Sequence, residues 1–65
     1  MIRSVIKTPS NVVIVFDEDG EQITEYQGRY EEIKELILKD APPTALFGHW
    51  VDYEQDINTV SRDEW

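Results

Sequence analysis

The 65-residue sequence contains no cysteine and a single histidine. The lack of cysteine excludes a disulfide, and a zinc site with one imidazole would need an uncommon set of carboxylate ligands. A chain of this size buries only about 60% of its unfolded surface, so small domains often gain stability from a disulfide, a metal ion or a second subunit. We therefore expect no metal ion and no cofactor, and we expect the chain to form a homo-oligomer, most simply a homodimer.

Basic residues are also scarce, because six lysines and arginines stand against fourteen aspartates and glutamates, for a formal net charge of −8. Nucleic acids and anionic membrane surfaces repel so negative a domain, so we expect neither as a direct partner. The sequence lacks the roughly 20 consecutive apolar residues of a membrane span, and Met1–Ser4 does not begin a secretory signal. Together with the absence of cysteine, these features predict a cytoplasmic protein whose partner is another protein rather than a small molecule.

Hydrophobic residues nevertheless make up 40% of the chain, and two Trp, three Tyr and two Phe are among them. This aromatic content is typical of a folded domain. Val12–Phe16 gives the strongest strand signal, since five consecutive apolar residues, four of them β-branched, predict a central strand that is buried on both faces. Ile2–Lys7 is short and alternates weakly, which indicates an edge strand. After the Asp19-Gly20 pair, typical of a tight hairpin turn, Gln22–Gln27 is predicted to return as an antiparallel strand.

Arg29–Lys39 is predicted to be a helix, because apolar residues recur at spacings of three, four and seven along it. Leu38 lies off the predicted apolar stripe, which consists of Tyr30, Ile33, Leu36 and Ile37. Pro42-Pro43 ends the helix. Thr44–Tyr53 then predicts a further strand, and Glu54–Trp65 a short C-terminal tail that packs on the sheet or on a partner. The predicted class is α+β: one domain over residues 1–65, with a small antiparallel sheet of three to four strands in β-β-β-α-β order and one helix packed on one face.

The acidic segment Asp17–Glu21 contains the Asp-x-Asp-Gly pattern that occurs in EF-hand calcium loops. If Gly20 took the sixth loop position, the first and twelfth ligand positions would fall on Val15 and Tyr26, which have no carboxylate. No serine lies in a Gly-x-Ser-x-Gly elbow, and the three glycines are too isolated to form a phosphate-binding loop. We therefore expect a protein that is not an enzyme and that has no catalytic, cofactor-binding or metal-binding residues.

The segment Leu46–Tyr53 holds three aromatic side chains and the histidine within eight residues. Because alternate residues of a strand face opposite sides, Phe47 and Tyr53 are predicted to share one face. Leu46 and Trp50 then lie on the other face. One helix can cover only one of these faces, so the second needs another cover, either the C-terminal tail or a second copy of the chain. The predicted interaction surface consists of Leu46, Phe47, His49, Trp50, Tyr53 and Trp65.

These features favour a small acidic, non-enzymatic protein–protein interaction module that self-associates. Two alternatives stay open. One is a phage-like acidic DNA mimic that inhibits a nucleic-acid-binding protein, which requires the carboxylates to align in one stripe. The other is a small-ligand-binding subunit, which requires His49, Trp50 and Tyr53 to line one pocket.

Overall fold

The computed structural model of the chain describes residues 1–51 and 56–65. In chain order its elements are β1 (Ser4–Lys7), β2 (Val12–Phe16), a 3₁₀ turn (Thr24–Tyr26), β3 (Gly28–Arg29), α1 (Tyr30–Asp40), β4 (Leu46–Val51) and β5 (Asp56–Val60). Across these two ranges, every helix is too short or too polar to cross a membrane.

The strands form one mixed sheet in the order β3-β2-β1-β4-β5. β1 pairs antiparallel with β2 and parallel with β4, while the outer strands β3 and β5 pair antiparallel with β2 and β4. The α+β class with a single helix is confirmed. The expected purely antiparallel sheet is wrong at one place, because α1 carries the chain from β3 across β2 and β1 to β4. Parallel strands need a long crossover of this kind.

β1 is the middle strand of the sheet, so the prediction of an edge strand is wrong. Val5 is fully buried, with Val15 of β2 and Phe47 of β4 as its register partners. The turn that joins β1 to β2 is closed by the Asn11 N–H, which donates to the Thr8 carbonyl at 3.0 Å, and Asn11 takes a φ of 68°. Asparagine tolerates this left-handed conformation better than most residues. β1 is central because the crossover through α1 places β4 along its second side. The residues of β1 alone do not indicate this pairing.

The strand predicted at Val12–Phe16 is confirmed as β2, but its burial is one-sided. Val13 and Val15 are fully buried in the core that α1 covers. The other three residues of the strand are half-buried on the opposite face. The prediction of complete burial on both faces is therefore wrong, because α1 packs on one face of the sheet.

The acidic turn after β2 is organised around Asp17. The Asp17 carboxylate accepts hydrogen bonds from the N–H groups of Asp19 and Glu21, at 2.9 and 3.0 Å. Gly20 takes a φ of 81°, which a glycine adopts without strain, and its N–H donates to the Asp17 carbonyl at 3.1 Å. The Asp17 carboxylate thus stabilises the turn through backbone amides.

The strand predicted at Gln22–Gln27 is replaced by one isolated bridge, between Phe16 and Gln22, and by the 3₁₀ turn. In a strand, Ile23 and Tyr26 would point to opposite faces. In the observed structure both side chains pack against the core cluster. The burial of both residues on one side explains why the chain turns here.

The helix predicted at Arg29–Lys39 is observed as α1, and Ile33 and Ile37 are its buried residues. Leu36, predicted on the apolar stripe, is 46% exposed, whereas Leu38 packs partly buried against the core. The two leucines lie about 100° to either side of Ile37 on the helix. The sheet lies on the Leu38 side, and the spacing of apolar residues alone did not distinguish the two sides.

The C-terminal tail contributes β5 and then returns Trp65 to the core, where it is 3% exposed. Its ring packs edge-on against Tyr30 and Phe47, with centroids 5.2 and 5.0 Å away. The indole Nε1–H donates to the Gly48 carbonyl at 3.2 Å, and the Tyr30 hydroxyl donates to the Trp65 backbone oxygen. Trp65 therefore joins α1 and β4 on the side of the sheet that the helix covers.

We predict that Trp65→Ala costs about 3–5 kcal/mol of unfolding free energy, because it removes a buried aromatic side chain. That cost is similar to the whole stability of a domain this small, so this variant should be largely unfolded. Trp65→Phe, which keeps a ring but loses the hydrogen bond to Gly48, should stay folded with a smaller loss. Urea denaturation followed by circular dichroism measures both, with truncation of the exposed Leu36, Leu36→Ala, as the control. A Trp65→Ala variant as stable as Leu36→Ala would contradict the assignment of Trp65 to the core.

Candidate functional site

The register of the sheet divides its side chains between two faces. The first, which we call the helix face, forms the core together with the helix residues: Val5, Val13, Val15, Phe47, Ile33 and Ile37. The second, which we call the open face, carries the alternate strand positions: Ser4, Ile6, Val12, Ile14, Phe16, Arg29, Leu46, Gly48, Trp50, Ile57 and Thr59. α1 and Trp65 both pack on the helix face.

The open face exposes large apolar side chains next to one another. Leu46 and Trp50 of β4 are 50% and 39% exposed, and Ile57 of β5, the register partner of Trp50, is 49% exposed. Ile6 and Ile14 continue the apolar surface onto β1 and β2, where they are half-buried. A contiguous apolar patch of this kind is typical of an interaction surface, whereas single exposed apolar residues are not.

Within residues 1–51 and 56–65, the open-face positions named above include no carboxylate, although the chain has fourteen. The charged residue among these positions is Arg29 on the outer strand β3, whose Nε lies 3.1 Å from Oε1 of Glu31. Glu31 also accepts a hydrogen bond from Asn11, at the end of β2 opposite to Asp17. Described carboxylates therefore lie at both ends of the sheet, at Asp17 and at Glu31.

A shallow depression of about 160 Å³ lies in the open face at Gly48. Gly48 has no side chain, and a Cβ atom there would lie 2.8 Å from Cγ2 of Ile57 and 3.3 Å from the Asn58 carbonyl oxygen. Ile57 therefore leans over Gly48 and forms one wall of the depression. Its remaining lining comes from neighbouring strand residues: Ser4, Val5, Ile6, Leu46, Phe47 and Thr59.

The residues of the predicted interaction surface do not all lie together. Leu46 and Trp50 are on the open face, as the alternation of β4 predicted. Phe47 and Trp65 are each 3% exposed in the core, so neither can contact a partner from the surface. Both residues are buried because the tail folds back onto the helix face, so they lie apart from Leu46 and Trp50. Tyr53 lies outside the described residues.

His49 lies on the helix face, where its register partner on β1 is Lys7. His49 and Trp50 are consecutive residues of a strand and point to opposite sides of the sheet. The two side chains therefore lie on different faces of the sheet. The depression at Gly48 is also smaller than the roughly 300 Å³ at which small-molecule pockets begin.

The described residues show no arrangement typical of catalysis. Within residues 1–51 and 56–65, no group of three or more His, Asp or Glu side chains is placed to hold a metal ion. His49 Nε2 is buried and has no hydrogen-bond partner among these residues. The Tyr26 hydroxyl donates to Asp40 at 2.9 Å, and this hydrogen bond raises the pKa of Tyr26. The backbone N–H of Glu31, and then Arg29, lower the pKa of the Glu31 carboxyl. These two shifts arise in exposed contacts at the ends of α1, and neither group lies in a cleft.

Sequence reasoning missed the contribution of β5 to the open face. Ile57 and Thr59 lie on this face opposite Trp50 and Gly48 of β4. The sequence of β5 is a weak strand signal, because Asn58 and Thr59 are both polar. The sequence predicts that Ile6 and Ile14 lie in strands. That they lie side by side on the same face is shown only by the register of β1 with β2.

Comparison with known protein families, with characterised proteins and with solved structures finds no match to this chain. The open face is therefore the feature on which a functional proposal rests.

We predict that Gly48→Ala costs about 1–3 kcal/mol of unfolding free energy, because the new methyl group overlaps Ile57. In an Ile57→Ala background the same substitution should cost less than half as much, since the overlapping Cγ2 is gone. Gly28→Ala is the matched control, because its Cβ would meet Ile33 at an ordinary 3.7 Å. This control should be neutral or slightly stabilising. Urea denaturation of the variants measures the coupling, and equal costs of Gly48→Ala in both backgrounds would show that Ile57 does not close over Gly48.

Proposed function

We propose that this chain is a small acidic, non-enzymatic protein–protein interaction module that self-associates as a homodimer through the open face. The observation that carries the proposal is a largely apolar face, with no carboxylate among its described positions, on a chain whose net charge is −8. Burial of exposed apolar side chains such as Leu46, Trp50 and Ile57 favours association, because it removes apolar surface from water.

The position of Trp65 supports a second copy as the cover of the open face. The sequence left two candidates for this cover, the C-terminal tail and another copy of the chain. Trp65 is buried against Tyr30 and Phe47, on the opposite side of the sheet from Leu46 and Trp50. Trp65 is thus buried on the helix face and does not cover the open face.

The size of the open face also agrees with a dimer interface. The Cα atoms extend over 30 × 24 × 23 Å. The two larger dimensions limit a flat face of the molecule to roughly 700 Å², so two such faces can bury about 1,400 Å² at most, which lies within the 1,200–2,000 Å² of specific interfaces. A chain this small gains stability when its folded form binds a second copy, which supports the same arrangement.

The charge distribution supports a protein partner and opposes other classes of ligand. The charge of −8 repels nucleic acids and anionic membranes. The exposed apolar side chains of the open face suit another protein surface. We also propose a cytoplasmic location, which the absence of cysteine supports.

Sedimentation equilibrium over a range of protein concentrations tests self-association. We expect a dimer at high micromolar concentration, and we expect salt to strengthen it, because two copies of charge −8 repel each other through their other surfaces. Trp50→Ala should weaken the dimer at least about tenfold, as truncation of a central interface aromatic does. Leu36→Ala, which truncates a 46% exposed leucine of α1, should leave the dissociation constant unchanged.

A strict monomer at high micromolar concentration, in low and high salt alike, would overturn the proposal. A dimer that Leu36→Ala weakens and Trp50→Ala does not would also overturn it, because the interface would then lie on the helix rather than on the open face.

A further inference from the structure

We propose that the two copies pair about a twofold axis that lies between their open faces and crosses the strands above His49, so that Trp50 of each copy lies over Gly48 of the other. This inference rests on the proposed self-association and adds the register, the orientation and the stoichiometry of the pairing. It follows from the row-by-row arrangement of the strands.

The register places one row of residues across the sheet at the level of His49. Val13, Lys7, His49 and Asn58 are cross-strand partners in this row, and all of them belong to the helix face. The two flanking rows belong to the open face and lie about 3.3 Å to either side. One flanking row contains Val12, Trp50 and Ile57, and the other contains Ile14, Ile6, Gly48 and Thr59.

A twofold axis above the His49 row exchanges the two flanking rows between copies. Trp50 then faces Gly48 of the second copy, and Ile57 faces Thr59. The largest side chain of the open face therefore meets the one position that has no side chain, where the structure has a depression of about 160 Å³. Both Trp50 and Ile57 are exposed in the single chain and available for these contacts.

Neighbouring registers fit less well. An axis above Trp50 would place the two Trp50 side chains against each other. Neither indole would then fill the depression at Gly48 of the other copy. An axis above Gly48 would place the two depressions face to face, which leaves a void between the sheets, and voids are costly in a packed interface. The axis above His49 avoids both problems. It also agrees with the aligned packing of two sheets about 10 Å apart.

This pairing stops at two copies. A twofold interface uses the same surface on both chains. Each open face is therefore covered by the other, and neither is left to bind a third copy. The two β4 strands run antiparallel across the interface. The described open-face positions include no carboxylate, so the pairing buries none of them between the two sheets.

Isotope-filtered nuclear Overhauser spectroscopy on an equimolar mixture of labelled and unlabelled protein tests this arrangement. We expect intermolecular contacts between the Trp50 indole protons and the Gly48 α-protons, and between the side chains of Ile57 and Thr59. A dimer whose intermolecular contacts lie elsewhere, for example between the outer edges of two β5 strands, would overturn the arrangement and leave self-association standing. A monomer would overturn both.

A pair of size-matched truncations provides an independent test. Leu46 and Ile57 are equally exposed, at 50% and 49%. Ile57 lies one residue from the axis row, about 3.3 Å, whereas Leu46 lies three residues away, about 10 Å. Ile57→Ala should therefore weaken the dimer at least about tenfold, and Leu46→Ala less than about threefold. Heteronuclear spectra of each variant verify that the monomer fold is kept. An equal or larger effect of Leu46→Ala would overturn the position of the axis.

Discussion

A single helix covers one face of a five-stranded sheet, and both the core and the open face follow from this one-sided cover. Ile33 and Ile37 of α1 pack against the valines of β1 and β2, and they leave the alternate residues of the same strands uncovered. The described part of the chain holds no second element of comparable length that could cover them. The apolar side chains of the open face thus stay in water until another molecule removes them from it.

Trp65 adds to the cover of the helix face and leaves the open face uncovered. Its hydrogen bond to the Gly48 carbonyl and its contacts with Tyr30 and Phe47 hold the indole on the helix face. The segment that brings it there also forms β5, which adds Ile57 and Thr59 to the open face. One stretch of chain therefore completes the core and enlarges the open face. Gly48 contributes to both faces. Its carbonyl accepts the hydrogen bond of the buried Trp65, and its lack of a side chain leaves the depression in the open face.

The parts of this structure that depend on local sequence were predictable. The periodicity of α1, the run of β-branched residues in β2 and the turn at Gly20 all depend on residues close together in the chain. The separation of Leu46 and Trp50 from Phe47 also followed from alternation within one strand. The parallel pairing of β1 with β4, the position of Trp65 and the contribution of Ile57 depend on contacts between distant segments. No local pattern distinguishes a central β1 from an edge β1, so that prediction was wrong.

The central claim is that another copy of the chain covers the open face, and the accessibility of Trp50 reports on it directly. The wild-type chain has two tryptophans, of which Trp65 is buried in the single chain and Trp50 is 39% exposed. Acrylamide quenching of tryptophan fluorescence, measured as the protein is diluted, separates the two. The account predicts one poorly quenched population at high concentration and the appearance of a readily quenched Trp50 on dilution. Quenching that does not change with protein concentration, with Trp50 accessible throughout, would contradict it.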